Sequence, residues 1–397
     1  MSKVTLRDLE IAGSRLLVRV NCDVPLRATK SIADDHRIRA ALPTINFARQ
    51  IGAAVVLLSH LGEPRGRPDA RLSQAIVAQR LQQLLPNAAI QFVPDIVGPV
   101  ARQRVETLAA GDVLLLENVR FHPGEVSGDE EFARALAELG SIYINDAFAD
   151  CHRRDASLYA LPLCFAEERR AIGFLVEREL DKLDAFLDHI QPPWIVILGG
   201  NKVEDDMALI ETQREHVDHF LLGGAIAYTL LHAMGVSVGQ SIVADTLVDR
   251  GRKLLSRVGE KLLLPVDHVI VRPAAGGTEP PVIGAEIPND GCAVDIGPET
   301  IASYRRTIER AHTAIWHGPL GKLGTSSFTA GSEAIARALV ARGAHLLAGG
   351  EETGQMLLQF NLASRFEHIS TGGSALLRYV ADRQLAALSA IGELQAV

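Results

Sequence analysis

Cysteine is scarce in this chain, and its four residues lie far apart, at Cys22, Cys151, Cys164 and Cys292. They form no C-x-x-C pair and no dense framework, which is typical of reduced thiols in a cytosolic protein. Long apolar runs are also missing: no stretch of about 18 uninterrupted apolar residues could span a membrane. The first ten residues lack the basic-then-apolar pattern of a secretory signal. We therefore expect a soluble, cytoplasmic protein.

Basic residues are fewer than acidic ones, 40 against 48, for a formal net charge of -8. This balance disfavours a nucleic-acid partner, because proteins that bind nucleic acid normally carry a basic face. Hydrophobic residues make up 47% of the chain and charged residues 22%, which excludes a disordered protein. At roughly 150 residues per domain, the length predicts two large domains or three small ones.

Short, uniformly apolar runs alternate with helix-period segments along nearly the whole chain. This alternation predicts an α/β fold, with parallel sheets covered by helices on both faces. The predicted strands are 16–20, 54–59, 113–117, 142–146, 194–198, 219–222, 313–316, 345–348 and 368–370, and the clearest helices are 37–50, 73–85 and 130–139. A charged helical stretch, 176–190, runs into Pro192 and Pro193, which predicts the junction of two domains there.

Paired glycines end four predicted strands of the second half. The pairs are Gly199 and Gly200, Gly223 and Gly224, Gly349 and Gly350, and Gly372 and Gly373, while Gly318 and Pro319 follow a fifth strand. Carboxyl ends of parallel strands share one sheet edge, where glycine and helix N-termini can bind an anion, so the repetition favours a polyphosphate site. Each pair could alternatively be only a tight turn. Neither G-x-x-x-x-G-K-[ST] nor G-x-G-x-x-G occurs, which disfavours P-loop and ordinary dinucleotide-binding sites.

Basic residues follow three predicted strands of the first half. They lie in segments 59–62, 117–122 and 145–153, and the most informative are His60, Arg120 and Arg153. Arginine binds carboxylate and phosphate oxygens in a bidentate manner. Each segment could singly be a surface loop, but together they predict an anion site that faces the polyphosphate site.

The segments that carry these residues resemble, in order and spacing, those of the phosphoglycerate kinase family from end to end. Matching segments include VRVNCDVPL (18–26), SHLG (59–62), GDVLLLENVRFH (111–122), NDAF (145–148), ILGGNKV (197–203), GGAIAYT (223–229), WHGPLG (316–321), GGEET (349–353) and ISTGG (369–373). The resemblance implies a monomeric, hinge-bending kinase with two doubly wound domains. The expected limits are 1–175 for the acceptor domain, 176–190 for the hinge helix, 191–380 for the nucleotide domain, and 381–397 for a tail that returns to the first domain.

The activity implied by the resemblance is reversible phosphoryl transfer between Mg-ATP and the carboxylate of 3-phosphoglycerate. In the acceptor domain, Arg37 would stabilise the phosphoryl group in flight, and His60, Arg120 and Arg153 would bind anionic groups of the substrate. Asn21 and Asp23 would lie near its hydroxyl.

In the nucleotide domain, the resemblance implies that Lys202 contacts the nucleotide phosphates and that Glu352 holds Mg²⁺, with Thr353 beginning the adjoining helix. The backbone at Gly349, Gly350, Gly372 and Gly373 would surround the transferred group. The further nucleotide-binding positions implied are Gly199, Gly200, Gly223, Gly224, Gly318 and Pro319.

Several matched positions depart from the family pattern. The family's order of aspartate and asparagine is reversed at Asn21 and Asp23, and Glu63, Asp155 and Asp206 occupy positions of arginine, histidine and lysine. Other departures are Asn201 for alanine, His317 for asparagine, Glu351 for glycine and Ser374 for glycine. The acidic replacements should weaken binding of a highly anionic substrate unless Arg65, Arg67 or Arg154 compensates. Three hypotheses therefore remain: an ordinary glycolytic kinase, a paralogue that phosphorylates another carboxylate, and a catalytically silent nucleotide-binding protein.

Overall fold

The computed structural model describes residues 3–27, 29, 31–274, 277–325 and 328–393. The chain divides into two compact units, one formed by the residues up to Asp181 and those from Gln384 onward, the other by Lys182–Arg383. The division lies inside the helix Phe174–Leu187, which ends before the predicted limit of 190. Of the tail expected at 381–397, the part from Gln384 belongs to the first unit, and 394–397 lie outside the described residues.

The first unit contains a six-stranded parallel sheet. Its strands are β1 (Arg15–Val20), β2 (Ala54–Leu58), β3 (Ile90–Phe92), β4 (Val113–Leu115), β5 (Ile142–Asp146) and β6 (Arg170–Ile172). Its helices are α1 (His36–Gln50), α2 (Ala75–Leu84), α3 (Pro99–Glu106), α4 (Pro123–Ser127), α5 (Glu130–Ala137) and α6 (Leu161–Leu163), and α7 (Phe174–Leu187) leads into the second unit. The strand order is β3-β4-β2-β1-β5-β6, with Val18 paired to both Leu57 and Ile144.

Among the described residues, the second unit contains another six-stranded parallel sheet, a three-stranded antiparallel sheet and the antiparallel pair β11-β12. The strands are β7 (Trp194–Leu198), β8 (His219–Leu222), β9 (Leu262–Leu263), β10 (His268–Val271), β11 (Pro273–Ala274), β12 (Gly277–Thr278), β13 (Val282–Gly284), β14 (Cys292–Ile296), β15 (Thr313–His317), β16 (His345–Gly349) and β17 (His368–Ser370). The helices are α8 (Val203–Gln213), α9 (Gly224–Ala233), α10 (Val248–Val258), α11 (Pro298–Ile308), α12 (Ala330–Arg342), α13 (Glu351–Gln359) and α14 (Ser374–Asp382); α15 (Ala386–Ser389) follows in the first unit. The large sheet has the order β17-β16-β15-β7-β8-β9.

The central strands are buried along their whole length because helices cover both sheet faces. All five residues of β2 and of β7 are buried, which explains why both read as uninterrupted apolar runs. The first core includes Leu16, Val18 and Leu57, and the second includes Ile197 and Trp316. The predicted α/β fold with parallel sheets is confirmed. Within the described chain, no helix has the length and apolar character needed to cross a bilayer.

The short and antiparallel strands were not predicted from the sequence. β3, β6 and β9 have only two or three residues, too few to show a periodic pattern. β10 pairs antiparallel with β13 and β14 in a separate sheet, and β13 is partly exposed. These strands lack the long buried runs that identified the two main sheets.

Candidate active site

The carboxyl edge of the first sheet carries the residues predicted to bind the acceptor. Asn21 and Asp23 follow β1, His60 follows β2, and Arg120 and Arg153 lie in the loops after β4 and β5. Because β4, β2, β1 and β5 are neighbours in the sheet, these loops emerge side by side. The fold therefore collects side chains that are more than 100 residues apart in sequence.

Asn21, Asp23 and Arg37 are linked by hydrogen bonds. Asn21 Oδ1 accepts from the Asp23 backbone N–H at 3.0 Å and from Arg37 Nη1 at 3.2 Å. Asp23 Oδ1 accepts from the Gly62 N–H at 2.7 Å, and its Oδ2 lies 3.8 Å from Arg37 Nη1. Burial alone raises the pKa of Asp23, but its interactions with His60 and the Gly62 N–H outweigh burial and hold the pKa well below its usual range. Asp23 is therefore an ionised hydrogen-bond acceptor at neutral pH.

His60 is buried, and a neighbouring arginine fixes its tautomer. Arg19 Nη2 lies 3.0 Å from His60 Nδ1, and a guanidinium can only donate, so Nδ1 is the acceptor. The proton of the neutral ring is then on Nε2, which lies 3.7 Å from Asp23 Oδ2. Burial lowers the pKa of His60, although the negative charge of Asp150 opposes this shift. The neutral ring with a donating Nε2–H is the form that fits this site.

Arg120 is a buried cation between two carboxylates. Its Nη1 donates to Glu63 Oε1 at 2.8 Å, and its Nη2 lies 3.6 Å from Asp155 Oδ2. Asp155 Oδ2 also accepts from Arg153 Nε at 2.8 Å. Arg120 and Asp155 are almost fully buried, whereas the Glu63 side chain is 64% exposed. Two of the acids noted as departures therefore pair with two arginines that the resemblance assigns to the substrate.

Sequence reasoning missed the buried network around Arg19. Arg19 Nε donates to Ser157 Oγ at 2.9 Å, and that hydroxyl donates to Glu125 Oε1 at 2.5 Å. Asp150 Oδ2 lies 3.5 Å from Arg19 Nη2 and accepts from Asn21 Nδ2 at 3.0 Å. The sequence did contain a signal for this network, since Arg19 stands inside the apolar run of β1. A fully buried cation requires a carboxylate partner. This network positions the loop that follows β1.

The predicted glycine turns lie along the carboxyl edge of the second sheet. Gly199 and Gly200 follow β7, Gly223 and Gly224 follow β8, and Gly318 and Pro319 follow β15. Gly349 is the last residue of β16 and Gly350 comes next, while Gly372 and Gly373 come after β17. These strands are consecutive in the sheet order β17-β16-β15-β7-β8, so their turns form one continuous row. An open α/β sheet binds ligands at this edge.

Two of these turns approach too closely for any side chain. A Cβ on Gly199 would lie 2.1 Å from the carbonyl oxygen of Pro319, and one on Gly318 would lie 2.2 Å from the carbonyl oxygen of Gly199. The Gly200 N–H donates to the Pro319 carbonyl at 2.7 Å. Packing between the two turns is therefore sufficient to require glycine at both positions.

The helices after β16 and β17 begin side by side at Gly350, Gly372 and Gly373, which we call the glycine cradle. Gly350 precedes α13 with φ of +91°, a conformation that side chains disfavour. Thr353 in the first turn of α13 accepts the Gly318 N–H on Oγ1 at 2.8 Å, which ties α13 to the turn after β15. First-turn N–H groups of a helix lack partners within that helix, so the two helix starts favour an anion.

Lys202 and Glu352 are exposed near the same edge. Lys202 precedes α8, and Glu352 lies in the first turn of α13, with Oε2 3.6 Å from the position of a Cβ on Gly200. Within the described residues, no three His, Cys, Asp or Glu side chains come together as a metal site. Mg²⁺ in nucleotide sites commonly takes one or two protein carboxylates plus substrate phosphates, a mode that Glu352 fits.

Asp206 and His317 form a buried pair beside the glycine cradle. His317 Nδ1 lies 3.6 Å from Asp206 Oδ1, and their side chains are 6% and 0% exposed. In the part of the chain that is described, neither oxygen of Asp206 has a hydrogen-bond partner. Burial raises the pKa of Asp206 to about 6, although His317 opposes this shift. The sequence showed both residues as departures but gave no sign that they meet.

One known protein family matches nearly the whole chain. The family model described as phosphoglycerate kinase matches residues 6–383. The chain belongs to the phosphoglycerate kinase family. Members of this family are phosphotransferases with a carboxyl group as acceptor.

Relatives and solved structures match over nearly the full chain. The phosphoglycerate kinase of Rubrobacter xylanophilus is 41% identical over 399 residues and is covered completely, as is this chain. That of Solibacter usitatus is 40% identical over 395 residues, which cover 98% of this chain and 100% of the relative. Among solved structures, phosphoglycerate kinase from Pyrococcus horikoshii has a TM-score of 0.82 at 27% identity, and that from Coxiella burnetii 0.75 at 30%; each match covers 98% of both chains.

Proposed function

We propose that this protein catalyses reversible, Mg²⁺-dependent phosphoryl transfer between ATP and a carboxylate, with 3-phosphoglycerate as the acceptor. The products are an acyl phosphate and ADP. The observation that carries the proposal is the continuous row of glycine turns along the carboxyl edge of the second sheet, a place suited to a polyphosphate. We include in the proposal that the protein is a cytoplasmic monomer whose partners are small molecules rather than nucleic acid or membranes.

The second unit would bind the nucleotide. Lys202 contacts phosphate oxygens as a compact cation, Glu352 supplies a carboxylate to Mg²⁺, and Thr353 maintains the first turn of α13. The backbone of the glycine turns binds the nucleotide and the transferred group; the positions are Gly199, Gly200, Gly223, Gly224, Gly318, Pro319, Gly349, Gly350, Gly372 and Gly373. Mg²⁺, when bound, neutralises charge on the phosphates.

The first unit would bind the acceptor. Arg37 stabilises negative charge on the phosphoryl group in transfer, and His60, through its Nε2–H, binds an anionic oxygen together with Arg120 and Arg153. Asn21 and Asp23 contact the acceptor hydroxyl, for which the ionised Asp23 is an acceptor. No general base is required, because a carboxylate acceptor is already ionised at neutral pH. The side chains therefore act by alignment and charge stabilisation, the main requirements of phosphoryl transfer.

A second candidate is transfer to a carboxylate other than 3-phosphoglycerate. It is favoured by the pairing of Glu63 with Arg120 and of Asp155 with Arg153, since both acids reduce the positive charge offered to a distal phosphate. An acceptor with an amine, a hydroxyl or a smaller anion at its far end would suit these acids better than a phosphate dianion.

A phosphorylation assay separates these functions. ATP consumption is measured with 3-phosphoglycerate and with a panel of other carboxylates, and hydroxylamine traps any acyl phosphate. The first candidate requires 3-phosphoglycerate to be the best acceptor, within the usual enzyme range of about 10⁴–10⁸ M⁻¹s⁻¹ for kcat/KM. A better acceptor in the panel supports the second candidate, and failure with every carboxylate contradicts both and leaves a silent nucleotide-binding protein.

Variants test the residue roles. Lys202→Ala should reduce kcat/KM by about a hundredfold or more, because a cation at the phosphates is lost. Lys253→Ala is the matched control, since Lys253 is an exposed lysine on α10 of the same unit. The double change Glu63→Arg with Asp155→His restores the family residues and should raise activity on 3-phosphoglycerate. A loss of activity on 3-phosphoglycerate in this variant would argue against the role given to the two acids.

A further inference from the structure

Two departures from the family pattern meet in space. Asp206 lies in the first turn of α8, where the resemblance implies lysine, and His317 ends β15, where it implies asparagine. They are more than 100 residues apart in sequence, yet their side chains face each other at 3.6 Å and both are buried. One replacement is acidic and the other is a base that can accept a proton, so the two changes are complementary in charge.

Within the part of the chain that the structure describes, the facing polar atoms of the pair have no other hydrogen-bond partners. In the described residues, Asp206 has no hydrogen-bond partner for either oxygen, and His317 has none for Nδ1. A buried carboxylate without a partner is strongly unfavourable, so a proton between Asp206 and the facing ring nitrogen relieves the charge. Asp205 raises the pKa of Asp206 and Lys202 lowers it. The first turn of α13 carries two further acidic residues, Glu351 and Glu352.

The other nitrogen of His317 is directed at the glycine cradle. A Cβ on Gly350 would lie 3.1 Å from His317 Nε2, and one on Gly373 would lie 3.8 Å from the same atom. The imidazole therefore occupies the space that the missing side chains leave between the starts of α13 and α14. A protonated ring presents an N–H donor to an anion bound there, while a neutral ring with its proton on Nδ1 would present a lone pair.

We propose that His317 is a phosphate-binding residue, whose Nε2–H donates to the phosphoryl group held at the glycine cradle, and that Asp206 is the positioning residue that orients the ring. The pair supplies a directional donor in place of the family's lysine. This inference rests on the proposed function for the identity of the ligand as the terminal phosphoryl group of ATP.

Nuclear magnetic resonance of ¹⁵N-histidine-labelled protein tests the pair without any nucleotide. His317→Asn identifies the His317 resonances. We expect inorganic phosphate to shift the Nε2 resonance of His317, and Asp206→Asn to reduce that shift. An Nε2 resonance that phosphate leaves unchanged would overturn the contact, and an equal shift in Asp206→Asn would overturn the role of Asp206.

Calorimetry tests the ligand. Mg²⁺ with β,γ-methylene-ATP should bind His317→Asn at least about tenfold more weakly than the unaltered protein, because a charge-assisted hydrogen bond is lost, while Mg-ADP should bind both within about twofold. His345→Asn is the matched control: His345 pairs with Glu367 at the opposite end of the same sheet. Equal losses for both nucleotides, or none, would overturn the proposed contact.

The variant Asp206→Lys with His317→Asn installs the family's two residues together. We expect it to bind the ATP analogue more tightly than Asp206→Lys alone, because the single change places a lysine against the imidazole. Failure of the unaltered protein to bind either nucleotide would contradict the proposed function, whereas the phosphate-induced shift of the Nε2 resonance judges the pair independently of that result.

Discussion

Glu63 and Arg120 form an ion pair in which the arginine is 3% exposed and the glutamate 64% exposed, with 2.8 Å between Nη1 and Oε1. The arginine is held by the fold, since Nη1 also lies 3.3 Å from the Gly62 carbonyl, whereas the glutamate reaches it from solvent. An exposed carboxylate can be displaced by a competing anion or removed by mutation without loss of the core. This pair is therefore suited to adjust acceptor affinity.

Glu63→Gln should lower the KM for 3-phosphoglycerate by about threefold to tenfold, because one negative charge beside Arg120 is removed while the hydrogen-bonding shape remains. The value of kcat should change by less than about twofold, since Arg37 and the second unit are unaltered. Steady-state kinetics at low and high ionic strength provide the measurement, and the gain should shrink at high salt.

The control for this change is Glu130→Gln. Glu130 is 77% exposed and pairs with Arg134 on α5 of the same unit, so it is an exposed carboxylate that pairs with an arginine other than Arg120. It should leave KM unaltered. An unchanged KM in Glu63→Gln as well would show that Arg120 does not bind the acceptor.

His60 should stay neutral, with its proton on Nε2, at pH values where free histidine is already largely protonated. Arg19 occupies Nδ1 as donor, and burial lowers the pKa of His60. Because the unfolded chain then binds a proton more readily than the folded one, the contribution of His60 to stability is lost as pH falls below about 6.5. Nitrogen chemical shifts, assigned with His60→Asn, check the tautomer. Protonation at or above pH 6.5 would contradict the assignment.

The sequence predicted the main strands well because their burial leaves a clear pattern. Trp194–Leu198 and Ile142–Asp146 were predicted with the limits that the structure has, since both strands are fully buried and consist largely of apolar residues. Strands such as Leu262–Leu263 have no such signal. Their pairing depends on a neighbour that is distant in sequence.

The positions of the site residues followed from topology, but their pairings did not. Strand ends of a parallel sheet must meet at one edge, so a sequence can indicate that His60 and Arg120 lie near one another. That Asp155 contacts Arg120 and Arg153, or that Asp206 faces His317, depends on loop paths and side-chain directions. A local pattern carries no information about either.

Gly350→Ala should destabilise the second unit more than Gly343→Ala. Both glycines have positive φ, +91° and +70°, but a Cβ at Gly350 meets His317 Nε2 at 3.1 Å whereas one at Gly343 meets nothing within 4 Å. We expect a loss of about 1 kcal/mol at Gly343 and roughly 1–3 kcal/mol at Gly350. Only Gly350→Ala should also weaken binding of Mg²⁺ with β,γ-methylene-ATP.

Tryptophan fluorescence during urea unfolding measures this effect. Both tryptophans of the chain, Trp194 and Trp316, lie in the second unit, so the signal reports on that unit. Equal losses of stability at the two glycines would show that the cradle has room for a methyl group.

Asp206→Asn should stabilise the second unit more at pH 8 than at pH 4. Burial raises the pKa of Asp206 from an ordinary value of 3.8 to about 6. The charge of Asp205 also raises this pKa, whereas His317 and Lys202 lower it. The folded state then holds the proton more tightly than the unfolded state, so ionisation of Asp206 lowers stability as pH rises from about 4 to 6, and the full loss persists above 6. Asparagine has no such ionisation, so the difference in unfolding free energy should grow by up to about 3 kcal/mol across that window.

Urea unfolding followed by tryptophan fluorescence at several pH values gives this difference directly. Subtracting the two proteins is essential because Asp295 of the same unit, whose pKa burial raises to about 7, contributes pH dependence of the same sign to both. Asp249→Asn serves as the control, since Asp249 is an 87% exposed carboxylate on α10 of the same unit. If the difference between Asp206→Asn and the unaltered protein is constant from pH 4 to 8, burial does not govern the ionisation of Asp206 and this prediction is wrong.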